Sequence, residues 1–218
     1  DHHRSLRWCE LDGTSITDDS IRVLLRLPLL ETLEVDGCRN VTGAGFEVRP
    51  VPQDLTTLCA AGSGINDEGL ARLAQLPQLE DLSIDDTPIT PAGIQAIARM
   101  RNLKFLSMDE CTLAGIQHSL APCTRLRSLS LEHTGITTKD LEVLEVHRLE
   151  NLSSLHLKHT LIDDDAVQLL AQCGRLEILE IDNTLITRDG LEVLAGTMHL
   201  TYVELNGAII DLQKLRPQ

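Results

Sequence analysis

Residues 79–102 read LEDLSIDDTPITPAGIQAIARMRN, and the pattern in this segment predicts the fold of the whole chain. Leu82 and Ile84 alternate with polar residues, which is the two-residue period of a half-buried β-strand. Thr90 followed by Pro91 is typical of a helix start, because a threonine side chain caps free amide groups and proline lacks an N–H that would have no partner there. Apolar residues then follow at helical spacing. The segment predicts one strand followed by one helix.

The L-x-x-L-x-L triplet that opens this segment recurs along almost the whole chain, at intervals of 23 to 26 residues. Because a helix follows each strand, successive strands join through right-handed crossovers and form one parallel sheet. A period of about 20–29 residues with this triplet predicts stacked units that bury their leucines only against one another. The triplets begin at Leu6, Leu30, Leu55, Leu79, Leu103, Leu126, Leu152, Leu176 and Leu200.

These repeats predict an α/β solenoid shaped like a curved horseshoe, with the parallel sheet on the concave side and the helices on the convex side. We expect a single domain over residues 1–218, with about nine repeats from about residue 6 to 205. The last segment, NGAIIDLQKLRPQ, abandons the apolar pattern, so residues 206–218 are expected to form a C-terminal cap. Because Leu6 already belongs to a repeat, we also expect the chain to be part of a longer protein.

Two units depart from the pattern. The second contains FEVRPVPQ at 46–53, whose prolines interrupt a helix, so its convex side is expected to be irregular. The fifth contains ECTLAGIQHSLAPC at 110–123, with Ala114 where other units place a capping residue. The capping position before the helix is filled by Thr17, Thr42, Asn66, Thr90, Thr137, Asp163 and Thr187, where we predict the helix starts.

The units resemble cysteine-containing and ribonuclease-inhibitor-like leucine-rich repeats, and their T-x-I-T-x-x-G-L-x-x-L form is similar to repeats of bacterial, planctomycete-type proteins. LTTLCAAGSGINDEGLARLAQLPQL at 55–79 and LEIDNTLITRDGLEVLAGTMHL at 179–200 carry the resemblance most clearly. The resemblance is specific for the fold and says little about function, because such repeats occur in unrelated recognition roles. The solenoid architecture itself, with its long exposed surface, predicts a recognition or scaffold role without chemistry. The cysteine-containing class also resembles the substrate-recognition part of F-box ubiquitin-ligase subunits. An adaptor role in a larger enzyme is therefore an alternative, although no F-box-like segment precedes Leu6.

The amino-acid composition limits the kinds of molecule that the chain is expected to bind and the compartment in which we expect it. The formal charge of −14 argues against nucleic acid, whose binding needs clustered Lys and Arg, and it favours solubility or a basic protein partner. No apolar run is long enough to span a membrane. The six cysteines contain no C-x-x-C pair, so we expect reduced, structural thiols and a cytoplasmic location. Cys38 and Cys111 occupy a turn position after the strand that threonine or serine fills in most other repeats, and there they are expected to satisfy backbone groups.

The residues that flank the inward leucines should face solvent on the concave side. Three of the four aromatic residues fall in one such column, at Trp8, Phe105 and Tyr202, and exposed aromatic side chains are typical interface anchors. Trp8 could instead cover an exposed end of the solenoid. We predict a partner-binding surface formed by Trp8, Glu10, Asp12, Glu34, Asp36, Asp81, Asp85, Phe105, Asp109, Glu132, His156, Ile178, Glu180, Asp182, Tyr202 and Glu204.

Acidic side chains crowd both ends of this surface, because neighbouring strands lie only ~4.8 Å apart. Such carboxylates would attract a basic partner, or they simply form a solvated face that discourages aggregation. No calcium-loop motif occurs. We therefore predict no metal and no cofactor.

Ser130, His156 and Glu180 occupy one column in the order of a nucleophile, a base and an orienting carboxylate. A hydrolase is thus a remote alternative. However, strand N–H groups that could form an oxyanion hole are used in the sheet, so we predict that the protein is not an enzyme. His133 and His159 stack one repeat apart, yet nothing fixes the further ligands that a metal ion needs.

Overall fold

The computed structural model describes residues 5–47, 49–50, 52–196, 200–205 and 208–209. Within this part of the chain, ten strands form one sheet and follow each other in chain order. Neighbours among the first nine strands are parallel, and the tenth pairs antiparallel with the ninth. The strands are β1 (Trp8–Glu10), β2 (Thr32–Glu34), β3 (Thr57–Cys59), β4 (Asp81–Ser83), β5 (Phe105–Ser107), β6 (Ser128–Ser130), β7 (Ser154–His156), β8 (Ile178–Glu180), β9 (Tyr202–Leu205) and β10 (Ala208–Ile209).

Short helices connect most strands across the other side of the sheet. The second unit has a 3₁₀ turn at Ala44–Phe46 and no α-helix among its described residues, which confirms its predicted irregularity. The fifth unit, residues 103–125, has no helix at all, so the missing capping residue there accompanies the loss of the element. The helices are α1 (Asp18–Leu24), α2 (Asp67–Leu73), α3 (Ile94–Ile97), α4 (Thr138–Leu144), α5 (Ala166–Leu170) and α6 (Arg188–Ala195), with further 3₁₀ turns at Pro91–Gly93 and Val146–Arg148.

The leucine ladder predicted from the triplets forms the core. From β2 to β8, the central leucine of each strand pairs in register with that of the next strand, and each is at most 2% exposed. Burying one such side chain contributes about 1.5–3 kcal/mol, and only the stacked neighbours provide that burial. The chain is therefore an α/β leucine-rich-repeat solenoid. The ladder consists of Leu33, Leu58, Leu82, Leu106, Leu129, Leu155 and Leu179.

The hydrogen bonds in the turn after the strand explain why either threonine or cysteine can occupy the same turn position in different repeats. The Ile84 carbonyl accepts a hydrogen bond from the Thr87 hydroxyl at 2.6 Å and another from the Cys111 thiol of the next repeat at 3.3 Å. Cys38 donates in the same way to the Leu11 carbonyl. The structural role predicted for Cys38 and Cys111 is confirmed, and all six cysteines are free thiols.

Most helix starts are where the sequence predicts them. Thr17, Asn66, Thr137 and Thr187 precede α1, α2, α4 and α6, and Thr90 precedes the 3₁₀ turn at Pro91. Two predicted starts are displaced. The hydroxyl of Thr42 bonds to Asp18 and Gly43 takes the cap position, whereas the carboxylate of Asp163 accepts from Thr138 and Asp165 takes the cap position.

The C-terminal cap expected over residues 206–218 lies outside the described residues, apart from β10. None of the helices in the described part of the chain has the length and apolar character needed to cross a bilayer.

Candidate functional site

The side of the sheet away from the helices, here called the concave face, carries the predicted aromatic column. Its residues pair in register from β1 to β9. Trp8 is 58% exposed, Phe105 45% and Ile178 37%, while Tyr202 is half-buried. Large apolar side chains that stay exposed to water on an open sheet mark a surface for contact with another molecule, so this column is the candidate contact surface.

The two outer aromatic residues are held by neighbouring carboxylates. The Trp8 Nε1–H donates to Glu34 Oε1 at 3.0 Å, which lays the indole toward β2. The Tyr202 hydroxyl donates to Glu204 Oε2 at 3.0 Å. Phe105 has no polar handle, so its exposed ring is free of such a tether.

The aspartates at the strand ends perform a task that the sequence interpretation missed. Asp36 Oδ1 accepts the backbone N–H of Ala61 at 2.7 Å, and Asp85 Oδ1 accepts that of Asp109 at 2.8 Å. Asp109 Oδ1 in turn accepts the N–H of Glu132 at 2.7 Å. We call this series the aspartate ladder; its members are Asp12, Asp36, Asp85 and Asp109.

The aspartate ladder gives several predicted binding residues a structural role. Its carboxylates tie one repeat to the next, so they are structural even where they remain partly exposed. Asp182 departs further from the prediction, because its side chain is only 7% exposed and does not belong to the open surface. The period-24 recurrence of aspartate at strand ends, before a residue with positive φ, is the sequence signal that could have revealed the ladder.

A depression of about 320 Å³ lies in the middle of the concave face. Phe105 forms one wall, and Asp109 and Glu132 lie on its polar side. Burial, and next the Asp109 carboxylate, raise the pKa of Glu132 above its usual value. The other residues that line it are Asp81, Leu82, Ser83, Leu106, Ser107, Ser128, Ser130 and His156.

The two acidic ends of the concave face differ in their charge balance. At the C-terminal end, Lys158 Nζ lies 2.8 Å from Glu180 Oε2 and 3.0 Å from Glu204 Oε2. The hydrogen bond to Glu180, outweighing burial, raises the pKa of Lys158, so this ammonium stays charged. Lys158 therefore partly neutralises the acidic side chains that the sequence predicts at this end, a pairing that the sequence interpretation did not include.

At the N-terminal end the carboxylates do crowd one another. Glu10, Asp12 and Glu34 each place a carboxylate oxygen within 4.8 Å of the others, and Glu10 and Asp12 are exposed. Burial, followed by the charge of Asp12, raises the pKa of Asp36 beside them, although the Ala61 N–H opposes this. The concave face thus carries a compact cluster of negative charge beside β1 and β2.

The geometry contradicts the proposed Ser130 nucleophile. Ser130 Oγ donates to Asp109 Oδ1 at 2.7 Å, whereas the ring Nε2 of His156 lies 2.7 Å from Ser154 Oγ and its Nδ1 lies 3.0 Å from Glu180 Oε2. The serine next to the imidazole is therefore Ser154. Its own N–H donates to the Arg127 carbonyl, so that group is unavailable to an oxyanion.

His133 and His159 stack as the sequence suggested, with ring centroids 3.9 Å apart. Both have positive φ and lie beyond the strand ends. The His159 ring continues to Asn183 Nδ2 at 3.2 Å rather than to a carboxylate.

A larger depression, about 500 Å³, lies away from the concave face between α1 and residues 49–50 and 52–54. Its charged residues are of both signs, and two of its arginines are engaged: Arg22 with Asp19 and Arg49 with Gln75. We assign the candidate site to the concave face instead, because exposed apolar anchors and clustered carboxylates coincide there.

No protein-family model matches the chain. The chain is 30% identical over 175 residues to a protein from Trypanosoma equiperdum that carries the provisional name of adenylate cyclase regulatory protein. That match covers 76% of the chain and 26% of the relative, so the chain spans about a quarter of the relative's length. It is also 33% identical over 84 residues to the human volume-regulated anion channel subunit LRRC8B, which covers 38% of the chain and 10% of that protein.

Two solved structures from Listeria monocytogenes share the fold. Internalin C2 superposes with a TM-score of 0.71 at 22% identity, covering 91% of the chain and 80% of that structure. An internalin named inlF gives a TM-score of 0.63 at 20% identity, covering 97% of the chain and 65% of that structure. At these identities the likeness shows the leucine-rich-repeat architecture alone.

Proposed function

We propose that this leucine-rich-repeat solenoid is a non-catalytic recognition module that binds a protein partner on its concave face. The observation that carries the proposal is Phe105, 45% exposed in the centre of the sheet and bordering the depression. Truncating a hot-spot side chain at the centre of a contact surface costs about 2 kcal/mol or more, whereas the residues that surround it contribute little. Trp8, Ile178 and Tyr202 extend the same column toward both ends.

The charge pattern supports a basic partner. Glu10, Asp12 and Glu34 lie together near β1, and the net charge of the chain is −14. Complementary charge raises the association rate more than the affinity, so the acidic end would steer the partner while Phe105 anchors it. Binding should therefore weaken as salt increases.

The test is photo-crosslinking with a matched control. Phe105 on the sheet and Val193 on α6 are both 45% exposed but lie on opposite sides of the solenoid. A photoreactive phenylalanine analogue at position 105 should yield one dominant adduct in extract from the native source, and the same analogue at 193 should not. Adducts from 193 alone would move the binding surface to the helices and overturn the proposal.

The relatives favour a second form of the same idea, in which the solenoid is the recognition part of a larger protein. The chain spans about a quarter of a relative whose name describes a regulatory protein. A substrate-receptor role in an F-box-type ubiquitin ligase stays a prediction. Assignment to the cysteine-containing or ribonuclease-inhibitor-like class is supported by the thiols of Cys38 and Cys111, which bond turn carbonyls between repeats.

A further inference from the structure

Three metal-ligating side chains meet on the C-terminal half of the concave face. Glu132, His156 and Glu180 each offer one donor atom, and these atoms all lie within 4.8 Å of one another. The sheet register produces the meeting, because His156 pairs with Glu180 across β7 and β8, and with Ser130 across β6 and β7. Glu132 lies two residues beyond Ser130, and residues two apart along a strand point to the same face of the sheet. All three side chains are partly buried, so part of their hydration is already removed.

The imidazole is held in the orientation that a metal ligand needs. Ser154 Oγ lies 2.7 Å from Nε2, which leaves Nδ1 directed at Glu180 Oε2, 3.0 Å away. Metal-binding histidines usually fix their second nitrogen through a polar partner of this kind. Two ligand atoms 3.0 Å apart match the spacing around a small divalent ion, whose bonds to nitrogen and oxygen are about 2.0–2.2 Å long.

The local charge also suits a divalent cation. Asp109, Glu132 and Glu180 place their carboxylates around the imidazole, and Lys158 is the ammonium that faces this group among the described residues. Lys158 bonds to both Glu180 and Glu204, so it can remain on Glu204 while Glu180 turns toward an ion. The negative excess persists even with the lysine in place.

We propose that Glu132, Nδ1 of His156 and Glu180 bind one divalent transition-metal ion, such as Zn²⁺, at the edge of the central depression. A nitrogen and two carboxylate oxygens form a ligand set typical of these ions rather than of Ca²⁺ or Mg²⁺. Three protein ligands leave at least one coordination position facing the depression, for water or for an acidic group of a partner. The proposal is independent of which protein partner is bound.

The acidic cluster of Glu10, Asp12 and Glu34 provides a contrast within the same molecule. It has comparable spacing but consists only of carboxylates, of which two are exposed. Without an imidazole it has no preference for a transition metal, and it carries no proposal.

The experiment is a titration of the full chain with Zn²⁺ by calorimetry and with Co²⁺ by visible absorption, after dialysis against a chelator. His2→Gln and His3→Gln are introduced in every variant to remove the two imidazoles at the start of the sequence. We expect one equivalent of metal to bind, and affinity to fall by at least about tenfold in His156→Gln and in Glu132→Gln. Glu34→Gln and His133→Gln should leave binding unchanged.

Three outcomes would overturn the proposal: no binding at millimolar metal, undiminished binding in both ligand variants, or loss of binding in His133→Gln. Should either ligand variant fail to fold, the histidine ¹⁵N resonances of the otherwise unaltered protein decide the question. Zn²⁺ should shift Nδ1 of His156 and leave His133 and His159 in place, and the reverse pattern would assign the metal to the stacked pair.

Discussion

Asp85 Oδ1 accepts the backbone N–H of Asp109 from the next repeat at 2.8 Å, so a residue on the binding face also holds two repeats together. The Ser107 hydroxyl donates to the same oxygen at 2.5 Å. Asp85→Ala removes an anionic acceptor and leaves both donors without it. We expect the free energy of unfolding to fall by about 1.5–3 kcal/mol, measured by urea denaturation.

Asp81 is the matched control for this change. It lies on the same strand, and within the described part of the chain its carboxylate accepts no hydrogen bond; burial raises its pKa. Asp81→Ala should therefore change stability by less than about 0.5 kcal/mol in either direction. Equal losses in the two variants would show that the ladder contributes nothing.

The ladder also dictates how the binding surface must be probed. A design from sequence alone would combine Phe105→Ala with Asp85→Lys and Asp109→Lys, on the view that all three side chains only face a partner. The structure predicts that the two lysine substitutions loosen the repeats, so a loss of binding could reflect unfolding. Phe105→Ala with Asp81→Lys tests the same surface without touching the ladder.

The carboxylate of Asp140 makes the free energy of unfolding depend on pH. Its carboxylate, 5% exposed, accepts the N–H groups of Gly115, Ile116 and Thr137 and the Thr137 hydroxyl, all within 2.9 Å. Burial alone would raise the pKa of Asp140, but the bonds from Thr137, Ile116 and Gly115 together hold it below the ordinary value of 3.8.

A lowered folded-state pKa stabilises the fold above the unfolded value, and that contribution is lost as pH falls from about 3.8 through the folded value. Asp140→Asn should therefore flatten the acid limb of the stability curve and cost about 2–4 kcal/mol at pH 7, where the carboxylate is fully ionised. Urea denaturation between pH 2.5 and about 7 measures both effects. Glu142→Gln, an exposed change in the same helix, should reproduce the unaltered curve; an unchanged acid limb in Asp140→Asn would contradict the argument.

The residues that sequence predicted well are those whose role repeats with the period. Leu82 and Leu106 recur every 24 residues, so their inward direction follows from the triplet itself. Thr87 and Cys111 recur in the same way, and their hydrogen bonds to the turn could be anticipated because a buried carbonyl needs a donor. Periodicity identifies which residues become neighbours along the stack.

Side-chain pairing across the stack could not be predicted, because it depends on the direction each side chain takes. The sequence places Glu180 and Lys158 in adjacent repeats but does not show that the ammonium lies between two carboxylates. Likewise, Ser130 and Ser154 are both one repeat or less from His156, and only the geometry shows that Ser154 pairs with it. Asp182 looked like any strand-end aspartate, yet it is buried.

Cys59 offers a chemical readout of the acidic end of the concave face. Burial, followed by the charges of Asp36 and Glu34, raises the pKa of this thiol to about 11. Because the thiolate is the reactive form, modification by a disulfide reagent should accelerate about tenfold per pH unit without a plateau up to pH 10. At 1 M salt, where charges are screened beyond ~3 Å, the reaction should be faster at any given pH.

The measurement uses a Cys9→Ala variant, since Cys9 and Cys59 are the partly exposed thiols and the other four are buried. One rapid equivalent is expected in the native protein and the remaining four only after denaturation. A rate that levels off near pH 9 would show that neither burial nor the surrounding carboxylates raise the pKa of the thiol.

Ser154, His156 and Glu180 form the hydrogen-bonded chain that a serine hydrolase would use, and the recognition proposal predicts that it is inert. Catalysis needs N–H donors aimed at a developing oxyanion, and here the N–H of Ser154 donates to Arg127 and that of Leu157 to Glu180 within the sheet.

A fluorophosphonate probe should therefore label neither Ser154 nor Ser130, even at high concentration, and Ser154→Ala should give the same background as the unaltered protein. Stoichiometric labelling that disappears in Ser154→Ala would reveal an oxyanion site supplied by another part of the surface and would refute a purely non-catalytic role. The labelling is repeated with Zn²⁺ present, because the same imidazole is the proposed metal ligand. A Zn²⁺ ion bound to Nδ1 of His156 replaces the hydrogen bond between Nδ1 and Glu180. We therefore expect no activation of Ser154 in that state either.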